Sequence, residues 1–121
     1  MIGKTQWAIA EGYIPPDNPE KPRPAISHEA CCVLNAGDED AEIEIRVFFK
    51  DREPAGPYRF KIPARRTHHL RFNDFRDPEP IPPGTDFASV LTSNVPVVVQ
   101  HTRLDTRDGT RGLMSTVAWA N

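Results

Sequence analysis

Thirteen prolines in 121 residues set the first limit on what this chain can fold into. Each proline fixes φ and removes a backbone donor, so a helix interior cannot hold one cheaply. They cluster at 15–24, 54–57 and 78–83, between apolar segments, and so mark turns and crossovers and argue against long helices. Between them, Glu42-Ile43-Glu44-Ile45-Arg46-Val47-Phe48-Phe49 alternates apolar and charged positions up to its aromatic end. That period of two belongs to a strand with one face on a core and the other in water, and it directs Ile43, Ile45, Val47 and Phe49 inward. Similar runs at 5–10, 26–34, 57–62, 66–72, 87–92, 95–104 and 113–119 give about eight strands at sandwich-like spacing. The expected fold is all-β: an antiparallel two-sheet β-sandwich of jelly-roll type, forming a single domain over 1–121.

Two finer expectations follow. The loop Asn35-Ala36-Gly37-Asp38-Glu39-Asp40 has the composition of a turn, which predicts that 26–34 and 41–50 are an antiparallel pair. The stretch 73–86 carries four of the prolines and is expected to be a stiff arm or a packed crossover.

Charge and composition exclude several functions. A formal charge of −2 with mixed signs lacks the footprint of a dedicated nucleic-acid binder. The only basic concentration, Pro63-Ala64-Arg65-Arg66-Thr67-His68-His69-Leu70-Arg71, would meet phosphate only weakly, and only if an oligomer multiplied it. No apolar run approaches the ~20 residues that span a bilayer, and Met1-Ile2-Gly3-Lys4 does not open a signal peptide, so a cytoplasmic location is expected. Cys31 and Cys32 are adjacent and would point to opposite faces of a strand, which predicts reduced thiols with at least one in the core.

Candidate chemistry is sparse. His28, Glu29 and His101 supply the donor set of a two-histidine, one-carboxylate metal site, but neighbouring strand residues face opposite ways and cannot share one ion without a bulge. No nucleophile elbow and no glycine-rich phosphate loop is present, so no catalytic residue, metal or cofactor is assigned. More informative are polar residues within apolar strands: Glu11, His28, Asn35, Arg66, Gln100, His101 and Arg103. In Val95–Arg103, alternation puts Val97, Val99, His101 and Arg103 on one face, so the polar end of this strand is placed to line a pocket for a hydroxylated or anionic ligand. Trp7, Tyr13 and Trp119 are candidate walls; the competing reading makes them core and the polar residues caps or subunit contacts.

Several blocks resemble one known family. They include Trp7-Ala8-Ile9-Ala10-Glu11-Gly12-Tyr13-Ile14-Pro15-Pro16, Ile26-Ser27-His28-Glu29, Leu34-Asn35-Ala36-Gly37-Asp38-Glu39-Asp40-Ala41, Arg71-Phe72-Asn73-Asp74, and Ser93-Asn94-Val95-Pro96 with Val98-Val99-Gln100-His101-Thr102-Arg103-Leu104-Asp105. Spanning nearly the whole chain, they are similar to the sensory rhodopsin transducers, small soluble proteins associated with a cyanobacterial-type sensory rhodopsin. The resemblance implies an all-β sandwich assembled as a cyclic homotetramer, a cytoplasmic role in relaying the state of a membrane receptor, and no known catalysis. It also implies possible ligands, since the wider family has been proposed to bind small polar molecules such as sugar derivatives, and DNA binding has been put forward as an alternative. The corresponding ligand set here is Glu11, His28, Asn35, Arg66, Gln100 and Arg103. The chain departs from the family in the loops 17–24 and 106–112, both expected to be exposed.

Overall fold

The computed structural model describes residues 1–121. Eight strands follow in order: β1 (Lys4–Tyr13), β2 (His28–Asn35), β3 (Ala41–Phe48), β4 (Ala55–Ile62), β5 (Arg66–Arg71), β6 (Asp86–Asp105), β7 (Gly112–Val117) and β8 (Trp119–Ala120). All pairings are antiparallel. One layer runs β4-β3-β6-β1-β8, and the other sets β2 between β5 and β6 with β7 on the far side of β6. The expected sandwich is therefore present.

Its organising element is β6, whose 20 residues serve both layers. Residues 86–93 pair with β1 and β3, whereas 98–105 pair with β2 and β7. The sequence reading expected separate strands at 87–92 and 95–104; the chain instead passes from layer to layer without a turn. Pro96 sits at the switch, where its missing N–H falls between the two ladders. Asn94 holds the corner from outside by accepting a bond from the Glu42 N–H (2.7 Å).

The predicted pairing of 26–34 with 41–50 does not occur. β2 pairs with β5 and β6, and β3 pairs with β4 and β6, so the loop 36–40 crosses between layers instead of closing a hairpin. The physical reason is Asn35. Its wholly buried amide donates to the carbonyls of Glu39 (2.8 Å), Ile62 (3.0 Å) and Pro63 (3.3 Å), while its oxygen accepts from the Gly37 N–H (3.1 Å). One side chain thus holds both the β2–β3 and the β4–β5 crossovers.

Alternation in β3 buries Ala41, Ile43, Ile45 and Val47 and leaves the residues between them exposed; Phe49, just past the strand, packs partly against the core. The stretch 73–86 is a packed crossover from β5 to β6. Phe75 lies 4.9 Å from the Tyr58 ring, 5.0 Å from Phe60 and 4.9 Å from Phe72, and Ile81 is also buried. The Tyr58 hydroxyl donates to the Glu79 carbonyl (2.7 Å), which leaves this buried aromatic with its polar tip satisfied. Phe87 lies across the backbone of Gly12, where a Cβ would stand 2.6 Å from the ring. Cys31 is buried and its neighbour Cys32 half-buried; both are free, and burial pushes the Cys31 thiol up to about 12.

Candidate functional site

The most concentrated polar chemistry lies at the start of β2. Glu29, Cys31, Val33 and Asn35 share the inward parity of that strand and all are buried. Glu29 therefore carries a carboxylate into the space between the layers, with no side-chain exposure. The β2–β6 register sets Glu29 opposite Arg103 and Cys31 opposite His101, which brings both β6 side chains within reach on the same face.

The carboxylate is saturated. Its Oε2 accepts from Arg103 Nε (2.9 Å), Arg103 Nη2 (2.7 Å) and the Tyr13 N–H (2.7 Å), and its Oε1 meets His101 Nε2 at 2.7 Å. Because Tyr13 belongs to β1, this one group ties the two layers together. A buried carboxylate is costly unless charged and neutral donors fill its lone pairs, and here four do. Arg103 reaches partly to solvent, where its Nη1 lies 3.7 Å from the exposed Glu11 carboxylate and its guanidinium stands 5.9 Å from the Tyr13 ring centre. From behind, the Glu29 N–H donates to Asn73 Oδ1 (3.1 Å), and Asn73 Nδ2 donates to the Ser27 carbonyl (3.1 Å).

Beside this network runs a groove of about 250 Å³ between β1 and the β7–β8 edge. His101 forms part of its floor, Glu11 stands at its rim, and Met114, Val117 and Trp119 line the outer wall. Trp119 is 65 % exposed and Leu113 70 %, so the open edge of the sandwich presents a strip of large apolar side chains. The groove thus pairs apolar walls with the polar side chains of His101 and Glu11, an arrangement suited to holding a partly polar ligand or partner.

The structure brings together only part of the predicted ligand set. Glu11 and Arg103 meet at this site, together with His101. His28 faces away from Glu29, and its Nδ1 is 2.9 Å from the Ile26 carbonyl oxygen. Asn35 is at the other end of β2, roughly 20 Å along the strand at ~3.3 Å per residue, and is fully engaged by the crossovers. Arg66 pairs with Asn35 in the β2–β5 ladder and lies exposed at that far end. Gln100 points outward from the other face and donates to Ser115 Oγ (2.6 Å). The six residues do not line one pocket. Trp7 is core, with its indole N–H bonded to the Lys4 and Val97 carbonyls (both 3.0 Å), whereas Tyr13 is half-buried beside Arg103. Glu29, weighed only as a metal donor, and His101 stand outside the predicted ligand set, and Tyr13 is expected only as an apolar wall; the inward parity of Glu29 with Cys31 and Val33 is the readable signal.

The metal reading meets the same geometry: His101 and Arg103 occupy Glu29, and His28 is turned to the opposite face. No group of three or more His, Cys, Asp or Glu side chains is arranged to hold an ion.

Comparison with known proteins agrees with this architecture. The Anabaena sensory rhodopsin transducer family model matches residues 2–120. The chain belongs to that family. A solved structure described as Anabaena sensory rhodopsin transducer is 62 % identical, with a TM-score of 0.77, covering 84 % of this chain and 98 % of that one. A second, described as Thermotoga maritima 1070, is 34 % identical with a TM-score of 0.89, covering 100 % of this chain and 97 % of the other. No protein of curated function matches. Within this transducer-family chain, the departing loops 17–24 and 106–112 pack on one another: Lys21 Nζ reaches Thr106 Oγ1 (3.0 Å), and the Thr106 N–H donates to Ser27 Oγ (2.9 Å). No helix is long and apolar enough to cross a membrane.

Proposed function

We propose that this transducer-family protein is a non-enzymatic cytoplasmic relay that docks on a sensory rhodopsin or a similar membrane receptor. In this reading the groove beside Glu29, His101 and Arg103 serves as its recognition element. The observation that carries it is the exposed apolar strip on β7–β8 beside a groove that His101 and Glu11 line, in a chain 62 % identical to a protein named as a sensory rhodopsin transducer. Glu29 is bonded through both oxygens and has no solvent access, which supports a structural role for it beneath the recognition surface. The strip of Leu113, Met114, Val117 and Trp119 also supports assembly of the chain as a homotetramer, because apolar side chains grouped on an open sheet edge favour burial against another surface. Glu11, which lines the groove, and the solvent-facing side of Arg103 next to it are the groups that would hydrogen-bond a small polar ligand, such as a sugar derivative.

Nucleic-acid binding through β5 is less favoured. Arg65 is engaged by Asp38 (2.6 Å), and charge on an edge strand is the usual guard against edge-to-edge pairing.

The test is binding of the purified protein to a sensory rhodopsin in lipid nanodiscs, in the dark and under illumination. A relay requires affinities that differ between the two receptor states. Equal affinity in both, or no binding in either, defeats the proposal. A thermal-shift panel of sugars and sugar acids, repeated with Glu11→Ala, decides whether a small ligand shares the groove.

A further inference from the structure

A second cleft lies on the other side of the β2 start, outside the groove just described. It encloses about 260 Å³ and gathers three arginines from separate segments: Arg23, Arg71 and Arg76. Arg23 follows the proline-rich loop, Arg71 ends β5, and Arg76 lies just beyond the Phe72–Asp74 turn.

The charge there is unbalanced. Asp17 also lines the cleft, but Lys21 neutralises it at 2.9 Å, and it accepts the Ser27 N–H as well. That leaves Asp74 as the counter-charge to three guanidinium groups, and Asp74 is engaged by Arg23 alone (2.7 Å). Arg71 uses one nitrogen, Nη1, on the Arg23 carbonyl (3.3 Å). Arg76 likewise uses only Nη1, on the carbonyls of Asn73 (2.8 Å) and Phe75 (2.9 Å). Each therefore keeps its Nε and Nη2 donors unused within the chain. Partial burial, followed by the charge of Arg23, pushes the Arg71 pKa down, the direction expected where cations crowd without enough anions.

The frame is rigid. Asn73 is fixed by its bonds to the Glu29 N–H and the Ser27 carbonyl, Phe72 is buried, and Pro15, Pro16 and Pro83 form the walls. A guanidinium fork held in this way matches the oxygens of a phosphate.

We propose that this cleft is a binding site for a terminal phosphate group, free or carried by a small monoester. Two surplus positive charges match its dianion, the unused Nε and Nη2 donors of Arg71 and Arg76 match its oxygens, and Asp74, held by Arg23, stands beside them as an acceptor for a neighbouring hydroxyl. The site is independent of the receptor reading and uses none of its groove residues.

The experiment is calorimetric titration of the full chain at low ionic strength with inorganic phosphate and, separately, glycerol 3-phosphate, each up to about 10 mM. Arg71→Gln and Arg76→Gln are each expected to weaken binding tenfold or more, and Arg111→Gln, outside the cleft, to leave it unchanged. Thermal unfolding of each variant verifies its fold; Arg76→Gln keeps the test decisive if Arg71→Gln unfolds. Binding of the ester should also fade below about pH 6, where its dianion takes up a proton. Tighter binding of the ester identifies a monoester as the source, equal binding identifies free phosphate, and both uphold the site. No heat with either compound, or binding unchanged in folded Arg76→Gln, overturns it.

Discussion

Replacing Glu29 by Gln keeps the volume of the side chain and removes its charge, so it measures what the buried ion network contributes. The amide oxygen can still face Arg103 and the Tyr13 N–H, which spares the hydrogen-bond count, but three bonds lose their ionic partner and fall to roughly half strength. Breaking a buried pair costs about 3–5 kcal/mol. Arg103, whose side chain is 22 % exposed with Glu11 at 3.7 Å, retains some solvation and a weak counter-charge, which brings the expectation to about 2–3 kcal/mol. With an unfolding entropy of about 2.1 cal/mol/K per residue, 121 residues give about 0.25 kcal/mol/K, so the Tm should fall by on the order of 10 °C. Arg103→Met should cost more than Glu29→Gln, because it leaves a carboxylate with no solvent access beside a hydrophobe. The double variant should be milder than the sum by at least about 1 kcal/mol. Urea unfolding of the four proteins in the cycle checks each value. Additivity within about 0.5 kcal/mol, or an Arg103→Met no worse than a surface change, would refute the argument that these groups act as one buried unit.

Two further outcomes test the frame around the site. Asn35→Ala should lower stability by about 3 kcal/mol in urea unfolding, since it strips buried carbonyls of both crossovers of their donor; an effect below about 1 kcal/mol would mean that water replaces the amide. Acid should destabilise the fold through Asp17, Asp74 and Asp105. The Ser27 N–H and Lys21 hold Asp17 well below the usual carboxylate range, Arg23 lowers Asp74, and Arg107 brings Asp105 down to about 2. Folded values below the unfolded ~3.9 stabilise the native state above that pH and lose the effect as pH falls through the folded values. The urea midpoint should therefore hold from about pH 7 to 5 and drop between about pH 4 and 2, with a shallower drop in Asp17→Asn.

The strand pattern was legible because period-two burial needs only local sequence: Ile43, Ile45 and Val47 show it without knowledge of any partner. Pairing was not, because it depended on two residues acting at a distance. Asn35 reads as a turn residue, yet its buried amide binds carbonyls 27 and 28 positions away and sends β2 and β3 to different layers. Pro96 reads as part of a separate strand at 95–104, yet it lies within the continuous β6, in the short stretch between the β3 and β2 ladders where its missing donor is tolerated. The site was half legible for the same reason. Arg103 and Glu11 stood out as polar residues in apolar strands, and alternation already set Gln100 on the other face of β6, but no local signal placed Arg66 and Asn35 at the far end of β2.

The placement of Glu29 gives the two proposed recognition surfaces a common support. Its carboxylate holds Arg103 and His101 under the groove, while its backbone N–H holds Asn73 under the arginine cleft. Ser27, wholly buried two residues earlier, completes the frame: its carbonyl takes the other end of the Asn73 amide, and its N–H bonds Asp17 at the cleft wall. A strand start that must satisfy so many fixed donors and acceptors has little freedom to shift its register. Groove and cleft are therefore set in one geometry by Glu29 of β2 and Ser27 just before it, and the Glu29→Gln variant, by loosening that support, should disturb both surfaces together.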